Sequence, residues 1–240
     1  AKLSKRHGAL GVEAYRAMAY LPAALRNYLV RPGWSHGNDE IFSTPQMIEW
    51  FDLSSLGKSA ARFDFKKLED LNGHYIRQAD NDELVARIRK ALPEMENGPA
   101  LNAAFEAAGW YKLAAAIPSL KERAKTLKEL IDGAGYLVAA RPLPLDDKAK
   151  GLLDAEARQA LAALKVRFDG VSEWTAAALE SEVRSYAETS GMKLGKIAQP
   201  LPASLTGKAV SPPVFDVMAV LGREESLARH ADQTGENCPA

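Results

Sequence analysis

Prolines and glycines cut this chain into short helical segments. Pro22, Pro32-Gly33, the stretch Pro93 to Pro99, Pro142, Pro144 and Pro212-Pro213 punctuate it from end to end. Proline fixes its own φ and has no N–H to offer, so a helix tends to start at it or stop near it. Between the stops, apolar residues recur at helical spacing. Examples are Ala24, Leu25, Tyr28 and Leu29; Leu84, Val85, Ile88 and Leu92; and Trp174, Ala178, Leu179, Val183 and Tyr186. The expectation is a mostly α protein of several small lobes. The one stretch with period two, Arg62-Phe63-Asp64-Phe65, allows at most a short strand pair.

Individual elements follow from the same signals. Residues 9 to 31 read as two helices, the second opened by Pro22. Thr44 is expected to cap a helix that turns Met47, Ile48, Trp50 and Phe51 inward, and Trp34 reads as a core residue. A helix from Lys66 to Ile76 is weakened by Asn72-Gly73-His74 inside it. Asp80 caps the next, with Glu83 completing a capping box. Pro118-Ser119 reads as the start of a helix with Leu120, Ala124, Leu127 and Ile131 on its inner face. Lys121, Lys125 and Lys128 would then share one flank, and Arg123 would lie across the apolar stripe from them. Further helices are expected at about 151 to 167, 172 to 188, 192 to 199, 214 to 221 and 223 to 230, with fraying from Ala231. Breaks near 80 and 145 divide the chain into 1–80, 81–145 and 146–240.

Composition excludes several classes. The chain has 240 residues, 47% hydrophobic and 26% charged, which suits a folded globular protein. No apolar run approaches the roughly 20 residues of a membrane span. A single cysteine, Cys238, excludes a disulfide within the chain and a cysteine-based zinc site, and the expected compartment is cytosolic. His7, His36, His74 and His230 share no metal-ligand spacing, so no metal site is expected. Net charge is zero, which argues against nonspecific coating of nucleic acid. The charge is segregated all the same. Basic residues gather between Lys2 and Arg31 and again between Lys112 and Lys128, as a specific polyanion site requires. Three glycine motifs fail as nucleotide loops. Gly133-Ala134-Gly135 lacks its third glycine, Gly191 to Lys196 is one residue short and carries Ile197 in place of Ser or Thr, and Thr206-Gly207-Lys208 lacks its upstream glycine.

Longer motifs carry a resemblance. Lys2-Leu3-Ser4-Lys5-Arg6-His7-Gly8, Tyr20 to Leu29 and Gly33-Trp34-Ser35-His36-Gly37 come first. Phe63-Asp64-Phe65-Lys66-Lys67-Leu68, Asn72 to Ile76, Leu120 to Leu127, Lys193 to Lys196, Leu205 to Lys208 and Val214 to Val217 follow. Together they resemble a bacterial glutamyl-tRNA synthetase, a class I aminoacyl-tRNA synthetase. The resemblance runs from that family's second signature loop, written Lys-x-Ser-Lys, to its end. It implies a C-terminal fragment: a stem-contact region with the signature loop over 1–80, then two helical anticodon-binding lobes over 81–145 and 146–240. It implies that the parent enzyme attaches glutamate to tRNA-Glu with ATP and magnesium and no zinc, as a cytoplasmic monomer. It also implies that this fragment, lacking the nucleotide-binding catalytic domain, is inactive alone.

The resemblance assigns residues as well. Lys2, Ser4 and Lys5 would hold ATP phosphates, with Lys2 and Lys5 the catalytic lysines. Arg123 would contact the third anticodon base, while Ser211, Pro212 and Val214 would form the turn at the middle base. Lys121, Lys125 and Lys128 would meet the tRNA backbone. Two positions depart from the pattern: Pro213 stands in place of glycine, and Pro202 in place of arginine in the Gln-Pro-Leu-Arg motif. Two other readings stay open, the same region of an enzyme that also charges tRNA-Gln, and a freestanding tRNA-binding module. A free module would have no use for half an ATP site.

Overall fold

The computed structural model describes residues 10–57 and 63–234. The chain divides into two compact units, one of residues 1–102 with 120–132, the other of 103–119 with 133–240.

In the first unit, α1 (Val12–Ala17) is followed by Ala19, whose φ is +62°, and α2 (Pro22–Val30) starts with the proline in its first turn. Trp34 is buried as expected. α3 (Thr44–Trp50) is capped by Ser43 rather than Thr44. The Ser43 hydroxyl accepts from Gln46 N–H, and the Gln46 side chain returns a bond to Ser43 N–H. Its expected inward face does not form, since Ile48 is 77% exposed and Phe51 46%. Packing, not spacing, decides which side of so short a helix is covered.

The expected strand pair is absent. Among the described residues there is no strand, only a lone antiparallel bridge between Trp34 and Leu56. Arg62 lies outside the described residues, and Phe63-Asp64-Phe65 leads directly into α4 (Phe65–Gln78). The Asp64 carboxylate caps that helix by accepting from Lys67 N–H at 3.2 Å. Its own N–H donates to the Tyr28 hydroxyl at 2.5 Å. Phe63 packs against the rings of Tyr15 and Tyr28, 5.6 and 4.8 Å away. Backbone that would have paired with a second strand is spent on a cap and a phenol. α4 runs unbroken through Asn72-Gly73-His74 and packs on α2. Asp80 caps α5 (Asn81–Ala91) as expected, but Glu83 turns to Arg87 at 2.6 Å instead of closing a capping box.

α6 (Gly98–Ala108) and α7 (Tyr111–Leu120) are separated at Gly109, whose φ is +95°. Pro118 lies inside α7 rather than opening a new helix. The chain leaves helix at Lys121, and α8 (Leu127–Ala134) begins only afterwards. So Lys121, Lys125 and Lys128 share no helical flank, although Leu120, Ala124, Leu127 and Ile131 are all buried as expected.

In the second unit, α9 (Asp147–Leu152) and α10 (Ala155–Asp169) are capped by Asp146 and Asp154. α11 (Ala176–Ser190), α12 (Leu194–Ala198), α13 (Leu201–Thr206), α14 (Val214–Leu221) and α15 (Arg223–Thr234) follow. α10 packs along α15, and α11 along α14. The last helix does not fray at Ala231, which is buried. Arg141 forks onto Asp232 at 2.8 and 2.9 Å, and Arg158 donates to the Gln233 carbonyl.

The Thr206-Gly207-Lys208 motif has a structural reason. Gly207 ends α13 with φ +74°, its carbonyl accepts from Asp146 N–H at 3.0 Å, and a Cβ there would lie 2.3 Å from the Pro144 carbonyl oxygen. Gly207→Ala is expected to destabilise the second unit by about 2 kcal/mol or more, combining left-handed strain with the clash. An unchanged urea midpoint would show that the close approach is dispensable.

Candidate nucleic-acid interface

In the first unit the basic segment 121–126 is a turn, not a helix, and α4 holds it. Arg123 is exposed at its apex, and its N–H donates to the Leu120 carbonyl at 3.3 Å. Lys125 Nζ donates to Asp70 at 2.7 Å. That bond holds the Asp70 carboxyl below its usual range and the Lys125 ammonium above its own, while burial opposes both shifts. Lys121 Nζ donates to the Ala79 carbonyl at 3.1 Å, and Lys128 Nζ to Asp132 at 3.1 Å. Thr126 opens α8 by accepting from Glu129 N–H, and the Glu129 carboxylate accepts from Lys125 N–H. Leu127 N–H donates to the Ala19 carbonyl at 3.2 Å. All three lysines thus donate ammonium bonds to the protein itself, and Arg123 is an exposed residue of the same turn.

In the second unit Ser211, Pro212 and Val214 come together at the entry to α14. The Ser211 hydroxyl donates to the Pro212 carbonyl at 2.7 Å, and Pro213 occupies the N-cap position with φ −49°. The two departures from the family pattern are thus accommodated locally. Pro213 fits the cap, and Pro202 sits in the first turn of α13, where an N–H has no helical partner to lose. Nearby, the Arg223 guanidinium donates to the Phe168 carbonyl at 3.1 Å and to that of Asp169 at 2.7 Å, and lies 5.0 Å over the Trp174 ring. Trp174 Nε1–H donates to the Met218 carbonyl at 2.8 Å. Trp174 is half-buried and joins elements through that bond rather than lying in the core.

Lys2, Ser4 and Lys5 lie outside the described residues, as does Cys238. Among the described residues no group of three His, Cys, Asp or Glu side chains could hold a metal ion. Sequence reasoning missed the residues that fix the Arg123 turn, Asp70, Asn72 and Gly73. The signal was present, since an Asn-Gly pair inside an otherwise helical pattern asks for a tertiary explanation.

Comparison with known proteins gives two family matches. Residues 1–70 match the catalytic domain of class I tRNA synthetases (E and Q). Residues 83–232 match the anticodon binding domain. Glutamate--tRNA ligase 2 of Brucella ovis is 60% identical over 235 residues, covering 98% of this chain and 50% of that protein. Glutamate--tRNA ligase 1 of Brucella melitensis matches to the same extent. The chain thus spans about half the length of these curated relatives. A crystal structure of a glutamate tRNA ligase from Elizabethkingia meningosepticum, in complex with its amino acid, superposes with a TM-score of 0.79 at 27% identity. It covers 98% of this chain and 48% of that one. A glutamate-tRNA synthetase structure from Elizabethkingia anophelis gives 0.75 at 26%, with the same coverage of both chains.

These matches correct two expectations. Catalytic-domain sequence occupies residues 1–70, ahead of the anticodon match, so the chain is not a C-terminal fragment that begins beyond that domain. The inactivity expected from the domain's absence loses its ground, because the domain is represented in the chain. The anticodon match takes in more than half of the 240 residues, and the chain belongs to the anticodon binding domain family.

Proposed function

We propose that this chain recognises the anticodon arm of tRNA-Glu on behalf of an ATP-dependent glutamate–tRNA ligase. The family match over 83–232 carries the reading, and the names of relatives 60% identical support glutamate as the amino acid. Single-stranded loop bases are read by side chains that hydrogen-bond their edges. Arg123, exposed on a turn whose backbone is held at Lys125 through both its N–H and its carbonyl, suits that task, because its guanidinium fork can pair with a base edge without rearranging the turn. The turn at Ser211, Pro212 and Val214 offers a second reading edge, made of backbone and short side chains. Lys121, Lys125 and Lys128 would face the phosphates only by sharing their ammonium groups with the protein partners they already hold. Within the longer ligase, Lys2, Ser4 and Lys5 would bind the phosphates of ATP, whose charge magnesium helps to balance.

The test is binding to anticodon hairpins of tRNA-Glu and tRNA-Gln, which differ at the third anticodon base, across a salt series. Arg123→Ala is expected to reduce the preference for the glutamate hairpin by about tenfold or more, as a hydrogen bond to a charged group contributes roughly 1.5–3 kcal/mol. Equal binding of both hairpins by the unaltered chain would favour an enzyme that also charges tRNA-Gln. Binding no tighter than to an unrelated hairpin would remove the anticodon reading.

A further inference from the structure

Asn72 lies fully buried in the middle of α4, on the face that also buries Leu68 and Ile76. An amide among leucines is costly unless each end is bonded. Both ends are bonded here, and both to distant backbone. Oδ1 accepts from Leu21 N–H at 2.7 Å, and Nδ2 donates to the Lys125 carbonyl at 2.5 Å. Leu21 is the N-cap residue of α2, and its side chain supplies no cap. Lys125 lies two residues beyond Arg123. The backbone of this turn passes so close over the helix that a Cβ on Gly73 would touch Lys125 Cα at 3.4 Å and the Ala124 carbonyl at 3.5 Å.

We propose that Asn72 is the positioning residue of the Arg123 turn. By holding the Lys125 carbonyl and the entry to α2 with one side chain, it fixes the backbone from which the guanidinium is presented. A base-reading group on a loose turn loses freedom on binding and tolerates the wrong base by moving, whereas a fixed one does neither. This inference rests on the reading of Arg123 given above. It goes further in assigning specificity to a buried amide that touches no nucleotide.

Asn72→Asp tests it, because the carboxylate keeps an acceptor for Leu21 N–H and sets an oxygen against the Lys125 carbonyl. Leu84→Ala in α5 is the control, since Leu84 is buried in the same unit and supplies none of the hydrogen bonds that hold the turn. Two quantities are measured in the full chain, the ratio of affinities for the two hairpins and amide hydrogen exchange. Asn72→Asp is expected to lower the hairpin preference by about tenfold and to reduce exchange protection over 121–127 by at least about as much. Leu84→Ala should lower stability, leave the hairpin preference alone and reduce protection over 121–127 no more than elsewhere in the unit. If Arg123→Ala erases the preference and Asn72→Asp keeps it, the inference is wrong and the reading of Arg123 stands. Unaltered protection over 121–127 in Asn72→Asp also overturns it. If Arg123→Ala keeps the preference, the reading itself fails and takes the inference with it.

Discussion

Arg229→Ala is expected to destabilise the second unit by about 3–5 kcal/mol, the range for breaking a buried charged network by removing one partner. Arg229 is only 1% exposed, the largest fully buried side chain in the protein's described residues. Its Nε donates to Glu225 one turn back on α15 at 2.6 Å. Its two terminal nitrogens donate to the Leu205 carbonyl at 2.6 Å and the Tyr136 carbonyl at 2.9 Å. Leu205 lies in the last turn of α13, where carbonyls have no helical partner, so the guanidinium supplies what that helix end lacks. Tyr136 lies in the 3-10 turn Gly135–Val138, far away in sequence. Truncation leaves two carbonyls without a donor and opens a cavity. Arg229→Met, which restores the stem volume without the donors, should recover a minority of the loss. Arg229→Lys should do little better, since one ammonium cannot span the three acceptors as a planar fork does. Urea unfolding of the three variants measures the order. A cost below about 1 kcal/mol for Arg229→Ala would mean that water satisfies those carbonyls.

The second large effect is on acid stability, through His230 beside it. This ring is fully buried and stacks on Phe168 at 5.9 Å. The Ser204 hydroxyl gives its single proton to the Leu201 carbonyl at 2.9 Å, so at 3.0 Å from the ring its oxygen accepts from His230 Nδ1–H. Nε2 is then the unprotonated nitrogen, and among the described residues it has no hydrogen-bond partner. Adding a proton there would place a charge in a fully buried site that also feels the Lys165 ammonium. Burial first, and that ammonium second, push the imidazole down to about 4 from 6.5. Because the folded value lies below the unfolded one, the unfolded chain takes up a proton as pH falls through 6.5 while the folded chain does not. The stability tied to His230 is complete above about 6.5 and declines down to about 4, by about 3 kcal/mol in total. His230→Gln should be less stable at neutral pH and should show a flatter stability profile between those limits. Carboxylates that titrate at the lower end act on both proteins and cancel in the difference. Parallel profiles across the whole window would show that the histidine is protonated in the folded state.

The sequence made visible whatever depends on neighbouring residues. Pro22 opening α2, Asp80 capping α5 and the break between the helices at 214–221 and 223–230 are decided within a turn of chain, where dihedral limits and unpaired helix-end groups act. The buried positions Leu84, Ile88, Leu179 and Val183 follow from spacing alone. Arg123 was legible as a candidate from its motif, whereas its setting was not. Reading Pro118 as a helix start made one helix of what is the end of α7, a turn and the beginning of α8. That turn exists because Asp70, Asn72 and Ala79 bond to it, and their identity as its partners is written nowhere near residues 121–127. The same holds for Phe63-Asp64, whose alternation suggested a strand until Tyr28 and the cap of α4 took its polar groups. It holds again for α15, which was expected to fray from Ala231 and instead continues to Thr234 and buries Arg229 and His230. Local sequence thus determined where helices begin and end and which stripes are apolar. Only the tertiary structure decided which polar groups are buried, because a buried polar group is tolerated only when distant backbone or a distant side chain arrives to satisfy it.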